Sequence, residues 1–154
     1  MFLRDAQKYQ MPGVFIGTSS VMDMLDLAQR AGGIDAVQNL YVVSFLAQPP
    51  GTPLVKPYED VYKKYFPNDR VQTLTFFGMS GALLTLDALK RAGRDLSRET
   101  LLQALNTTKD LNAGPAACTI SIAKENHQGC LTGTMWAVKN GHIVDIGPEW
   151  KKGD

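Results

Sequence analysis

The stretch VFIGTSSVMDMLDLAQRAGGIDAVQNLYVVSF, residues 14–45, contains the pattern that decides the fold. Residues 14–16 are a short apolar run typical of a buried strand, and residues 21–31 have helical periodicity up to the Gly32-Gly33 stop. Residues 41–45 form a second run rich in β-branched and aromatic side chains. Strand, helix and strand in this order predict a βαβ unit with two parallel strands.

A small polar loop, Thr18-Ser19-Ser20, follows the first of these strands. Ligands of open α/β sheets bind at the carboxyl ends of parallel strands, where hydroxyls and helix N-terminal amides converge. The three hydroxyls are therefore candidate ligand-binding groups. An equally simple interpretation is that Ser19 or Ser20 only caps the following helix. The loop lacks the glycine spacing of a dinucleotide-binding fingerprint and the lysine of a phosphate-binding loop, which disfavours a nucleotide ligand.

The segments that flank this unit are helical or proline-rich. Residues 2–9 have helical spacing with no capping residue before them, as though the chain had been cut inside a helix. Residues 46–57 hold four of the eight prolines, so we expect an irregular segment that crosses between two lobes. A short helix is predicted at 58–66, before the Pro67-Asn68-Asp69 stop.

Residues 75–106, TFFGMSGALLTLDALKRAGRDLSRETLLQALN, predict two helices separated at Gly93. The first ends in cations, which suit the negative pole of a helix, and Ser97 is placed to cap the second. Ser80 lies in Gly-Met-Ser-Gly, but residue 82 is Ala and the context is helical, so the nucleophile-elbow motif is not met. Close helix packing is the better interpretation of these small residues.

From residue 118 the apolar period changes to that of strands. Residues 119–122 predict one strand. Residues 134–139 and 142–146 flank Asn140-Gly141, which is the strongest short-range signal for a β-hairpin.

Cys118 and Cys130 are the two cysteines of the chain. Together with His127 and His142 they could form a zinc site or a Cys/His dyad, but there is no CxxC pair and the His-x-x-Cys spacing lies in a glycine-containing loop. The preferred interpretation is a disulfide, since a turn would bring the starts of two predicted strands together in an oxidising compartment. His127 is then a turn residue, and we expect neither a metal nor another cofactor.

Composition excludes several functions. With 154 residues the chain is long enough for one domain with a real core, and its formal net charge of +1 gives no electrostatic footprint for a nucleic-acid partner. The longest apolar runs are strand-sized, far below the roughly 20 residues that span a bilayer. The first ten residues lack the pattern of a signal peptide.

Several segments, in this order and spacing, resemble the C-terminal part of the branched-chain amino-acid receptor family, the type I periplasmic solute-binding proteins of ABC transporters. They are GVFIGTSS (13–20), YVVSFLAQPP (41–50), ALKRAG (88–93), LSRETLLQAL (96–105), Gly114-Pro115, ENHQG (125–129) and MWAVKNGHIVDIGPEW (135–150).

The resemblance implies an α/β chain with part of the type I periplasmic-binding-protein fold, a Rossmann-like parallel sheet, and a C-terminal β-hairpin. Family members have two lobes that close on a small ligand. By analogy, residues 1–48 belong to the second lobe, residues 49–122 return to the first lobe, and residues 123–154 form the hairpin that crosses back. The chain then corresponds to a C-terminal fragment.

The resemblance also implies where the ligand binds. Thr18, Ser19 and Ser20 would face the cleft, and Phe76, Phe77 and Met79 match a region that offers apolar side chains to it. The loop lacks the acidic residue that often takes the ligand ammonium in amino-acid receptors, which leaves room for amides, urea-like compounds or organic acids.

The implied function is that of the extracytoplasmic solute-binding component of an ABC transporter, with no enzymatic activity. In the full-length protein it would be periplasmic or extracellular and bind an ABC permease, while the fragment could form a homo-oligomer or swapped assembly. A sensory ligand-binding module of the same fold is an alternative, since nothing in these residues separates it from a transport receptor. The alternative from another class is a small α/β hydrolase or transferase with Ser20 or Cys118 as nucleophile.

Overall fold

The structure, a computed structural model, describes residues 2–18 and 23–147. Within these ranges the helices are α1 (Phe2–Lys8), α2 (Met24–Ala31), α3 (Lys56–Tyr65), α4 (Thr73–Ala92) and α5 (Arg98–Asn106). A short 3-10 helix covers Ile34–Val37. The strands are β1 (Phe15–Gly17), β2 (Leu40–Ser44), β3 (Thr134–Lys139) and β4 (His142–Asp145).

The described strands form one sheet in the order β1-β2-β3-β4. The predicted parallel pairing of β1 with β2 is confirmed, with Phe15 opposite Leu40. β3 is antiparallel to β2 and to β4. The predicted hairpin is confirmed as well: Asn140 and Gly141 both have positive φ, 52° and 75°, as a tight two-residue turn requires.

Local sequence signals set the ends of the helices. The Asp23 carboxylate accepts a hydrogen bond from the Asp26 amide and caps α2, and Gly32 ends that helix with φ 106°. Ser97 caps α5 through the Thr100 amide, as predicted. The predicted irregular segment at 46–57 is confirmed up to Val55, and α3 begins at Lys56 because Pro57 is compatible with the first turn of a helix.

One core joins the βαβ unit to the helices beyond the crossing. Its buried members include Met24 and Val37 from the unit, Leu46 from the crossing, Phe76 from α4 and Trp136 from β3. A smaller apolar cluster of Met135, Ala137 and Ile146 forms on β3 and beyond β4. The two parts of the chain on either side of residue 48 therefore share a packed interior, while their assignment to two lobes stays a prediction.

The predicted strand at 119–122 is wrong. Its backbone groups bond to separate partners: Ile120 exchanges bonds with Leu111, the Ser121 amide donates to Gly129, and the Ile122 amide donates to Thr108. Such isolated bridges do not build a ladder. Cys118 and Cys130 consequently lie in irregular segments and not at the starts of strands.

Among the described residues, no helix combines the length and apolar character that crossing a bilayer requires.

Candidate functional site

The carboxyl ends of β1 and β2 lie at the same edge of the sheet because these strands are parallel. Thr18 directly follows β1 and is exposed there. Ser19 and Ser20, the other two hydroxyls of the predicted ligand loop, lie outside the described residues. Phe45 directly follows β2, at the point where the chain leaves the sheet. This edge is where an open α/β sheet binds ligands.

Beside Phe45 an apolar groove separates α4 from the irregular segment 116–130. One wall is a single face of α4, formed by Phe77, Ser80, Gly81 and Leu84. The opposite wall comes from Ala116, Ile120, Ile122, His127, Gly129 and Cys130. The groove has a volume of about 280 Å³, and the Phe45 and Phe77 rings meet at its edge with centroids 4.7 Å apart. We call it the Phe77 groove.

Ser80 gives this apolar groove a polar group. The residue is only 6% exposed, and its hydroxyl has no hydrogen-bond partner in the structure. An unpaired buried hydroxyl costs about 1–3 kcal/mol. The sequence indicated only packing for Ser80, because a helical repeat does not show which hydroxyl lies against a cavity.

The three apolar residues predicted for the ligand cleft lie in different environments. Phe76 is fully buried in the core. Met79 is partly buried against that core. Phe77 is 60% exposed and lines the groove. Phe77 is therefore the member of this set that a ligand can reach without displacing the core, and the ligand-binding role of all three stays a prediction.

Cys118 and Cys130 are joined in a disulfide, with Cα atoms 6.1 Å apart. The disulfide does not favour the alternative in which Cys118 is a nucleophile, since a disulfide sulfur is not a thiolate. Ser20, the other proposed nucleophile, lies outside the described residues. His127 lines the Phe77 groove, whereas His142 begins β4. In the described part of the chain, no three His, Cys, Asp or Glu residues are grouped to hold a metal ion.

An ion-pair cluster holds the start of α2, immediately after the predicted ligand loop. Arg70 precedes α4 and donates from Nη1 to Asp26 Oδ1 at 2.5 Å and from Nη2 to Asp23 Oδ1 at 3.2 Å. Arg30 Nε lies 2.6 Å from the other oxygen of Asp26. This cluster links the βαβ unit to the segment that leads into α4, and it occupies the first two acidic residues that follow the loop in the sequence.

We expect the cluster to make stability depend on pH. Partial burial tends to raise the pKa of Asp26, but hydrogen bonds from Arg70 and Arg30 and their charges outweigh it, so the pKa lies below its ordinary value of 3.8. A lowered carboxyl pKa stabilises the fold above the unfolded-state pKa, and this contribution is lost as the pH falls through the folded-state pKa.

The measurement is the melting temperature of the wild type and of Asp26→Asn between neutral and acidic pH. At neutral pH the wild type should melt at a higher temperature than Asp26→Asn. The difference between their melting temperatures should shrink as the pH falls below the ordinary carboxyl pKa. A difference that stays constant with pH would contradict the ionic origin.

A hydroxyl, Thr18, directly after β1 and an apolar groove beside Phe45, directly after β2, fit a protein that binds small solutes at the carboxyl ends of parallel strands. The sequence profile of the periplasmic binding protein family matches residues 2–141. The chain therefore belongs to this family, which is made up of solute-binding proteins. No functionally curated protein matches the sequence significantly.

Solved structures share the fold at low sequence identity. A substrate-binding periplasmic protein from Ralstonia solanacearum has a TM-score of 0.76 and 22% identity, over 94% of this chain and 41% of that one. A branched-chain amino-acid ABC transporter protein from Thermus thermophilus, with bound valine, has a TM-score of 0.76 and 21% identity with the same coverages. A fatty-acid ABC transporter substrate-binding protein from Thermomonospora curvata has a TM-score of 0.75 and 20% identity, covering 94% and 38%. This chain spans about two fifths of each.

Proposed function

We propose that this chain is part of the extracytoplasmic solute-binding component of an ABC transporter. The observation that carries the proposal is the family match over residues 2–141, combined with a ligand-sized apolar groove beside Phe45, which follows the carboxyl end of β2. The protein acts by binding and release and performs no covalent chemistry. Lobe closure around the solute is the mechanism that such a two-lobed arrangement supports.

The ligand in this proposal is a branched-chain amino acid or a related small amide or organic acid. The Phe77 groove suits a branched or aromatic apolar group. The next acidic residues along the chain after Thr18, Asp23 and Asp26, are already engaged by Arg70. This engagement favours a ligand without an ammonium group over an α-amino acid.

The rest of the proposal concerns the complete receptor. We propose that residues 1–48 belong to its second lobe, residues 49–122 to its first lobe, and residues 123–154 to a hairpin that crosses back. The shorter span relative to similar structures supports the interpretation of this chain as a C-terminal fragment. The complete receptor would act in the periplasm or outside the cell and deliver its solute to an ABC permease.

A matched ligand series tests the proposed function. We expect 4-methylpentanoate and 4-methylpentanamide to shift the amide NMR signals of Thr18 and Phe77 more than leucine does, because leucine adds an ammonium group to the same branched chain. Binding should be weak in all cases, since a single side of a cleft cannot surround a ligand.

Two variants serve this titration. Phe77→Ala should reduce the shifts, whereas Phe66→Ala should not, because Phe66 is exposed just after α3 and away from the groove lining. An absence of shifts at both Thr18 and Phe77 would contradict the site. Tight leucine binding in a calorimetric titration would contradict the interpretation of the chain as part of a larger cleft.

A further inference from the structure

Among the described residues that line the Phe77 groove, one side chain is ionisable, and it is His127. Cys130 also lines the groove, but its sulfur is held in the disulfide. The face of α4 and the rest of the opposite wall contribute no charged residue. The groove therefore combines an apolar lining with one group that can carry a positive charge.

Hydrogen bonds and the disulfide hold the backbone on both sides of His127. Before it, Asn126 exchanges two backbone bonds with Ala123, each 3.0 Å between nitrogen and oxygen. After it, the Gln128 amide donates to Asn126 Oδ1 at 2.9 Å, and Cys130 is tied to Cys118. A solute does not have to order a backbone that is already held, so less of the binding free energy is lost.

Gly129 brings apolar side chains close to this backbone. The Gly129 carbonyl accepts the Ser121 amide at 3.0 Å. A Cβ atom at position 129 would lie 2.7 Å from Ile120 Cγ2 and 3.4 Å from Ile122 Cγ1, so these two side chains pack directly against the glycine. Apolar surface therefore adjoins the segment that carries the imidazole, as the recognition of a solute with one apolar and one polar end requires.

The charged side chains around this segment balance one another. They are Lys124 and Glu125 on the segment itself, and Lys109 and Asp110 on the neighbouring segment, which bonds to Ser121. All four are exposed, so solvent screens their charges. Two cations and two anions leave no net charge. The charge that a solute meets in the groove is therefore set by the imidazole of His127.

We propose that His127 binds the carboxylate of a small apolar monocarboxylic acid whose hydrocarbon part lies in the Phe77 groove. This inference rests on the proposed function and narrows its ligand class to organic acids. A charged imidazole donates from both ring nitrogens, and its bond to a carboxylate is stronger than a bond between neutral groups. An amide offers no such charge, and an amino acid adds an ammonium group that an imidazolium repels. The volume of about 280 Å³ lies just below the range of ligand pockets, roughly 300–1,000 Å³, so the acid is small.

NMR titration of the 154-residue chain with 4-methylpentanoate and 4-methylpentanamide, at pH 6 and at pH 8, tests this inference. Imidazole groups lose their charge as the pH rises through this range, whereas a carboxylic acid stays ionised. We expect the dissociation constant of the acid to rise about threefold or more between pH 6 and pH 8, and that of the amide to stay constant. His127→Gln keeps a hydrogen-bond donor without the charge and should abolish the pH dependence. His142→Gln is the matched control and should preserve it, because His142 begins β4 and does not line the groove.

The outcomes distinguish this inference from the proposed function. Loss of the pH dependence in His127→Gln alone, with an unchanged circular dichroism spectrum, would support carboxylate recognition by His127. Shifts at Phe77 with equal affinities for acid and amide at pH 6 would overturn the inference and leave the solute-binding proposal in place. A pH dependence that survives His127→Gln, or that both glutamine variants lose, would do the same. No shift at Thr18 or Phe77 with either compound would overturn both.

Discussion

Replacing Phe76 by alanine is expected to lower the free energy of unfolding by about 3–5 kcal/mol. Phe76 has no exposed surface and belongs to the core that joins α4 to Met24, Val37 and Trp136. Removing its ring loses the transfer free energy of the buried atoms and leaves a cavity that a packed core closes only in part. Urea denaturation followed by circular dichroism measures the loss.

Phe77→Ala is the matched control for this prediction, since it removes the same ring from the next position of α4. Phe77 is 60% exposed, so we expect its loss to cost less than about 1 kcal/mol, since surface substitutions rarely cost more. Its contact with Phe45 should account for most of the cost. Equal losses for the two variants would contradict the core position of Phe76. A stable Phe76→Ala variant with impaired ligand binding would show instead that Phe76 contacts the solute.

The contrast between these neighbours shows what a helical pattern cannot predict. The periodicity of residues 75–92 identified the helix and its end at Gly93, which the structure confirms. Apolar residues occur on several sides of α4, so the pattern did not show which side is buried. Burial here is decided by residues distant in the sequence, such as Met24, Val37 and Trp136 around Phe76, and a local pattern does not contain such contacts.

The same reasoning explains which parts of the sheet were predictable. The βαβ unit and the hairpin depend on short-range signals, the loop after β1 and the Asn140-Gly141 turn. Residues 119–122 have an equally strand-like alternation, but a strand also needs a neighbour with matching register. In the structure these residues make isolated hydrogen bonds to Leu111, Thr108 and Gly129 and have no such neighbour.

The candidate site was predictable in part. The position of Thr18 at the carboxyl end of a parallel strand follows from the order of the elements. The position of the Phe77 groove does not follow, because the groove is assembled from Phe45, α4 and the segment 116–130, whose relative placement no spacing rule supplies. Ser80 and His127 belong to the candidate site only because the tertiary fold brings the walls of the groove together. The disulfide helps to fix the wall opposite α4.

Removing that disulfide is expected to lower the free energy of unfolding by about 3 kcal/mol, since a bond that closes a loop of this length restricts the unfolded chain. The two cysteines are separated by 12 positions, and the loop between them includes Ile120, Ile122 and His127 of the groove wall. Without the bond this segment keeps only scattered backbone bonds, so the wall should loosen before the core unfolds.

The measurement compares urea denaturation of the wild type with that of the Cys118→Ser, Cys130→Ser double variant, each with and without a reducing agent. The reducing agent should lower the stability of the wild type to that of the double variant and leave the double variant unchanged. In the double variant, the hydrogen-exchange rate should rise above that of the oxidised wild type first at residues 119–129. A double variant as stable as the oxidised wild type would contradict the structural role of the bond. Exchange that rises equally throughout α4 would show that the segment and the core unfold as one unit, because local loosening leaves the protected core amides unaffected.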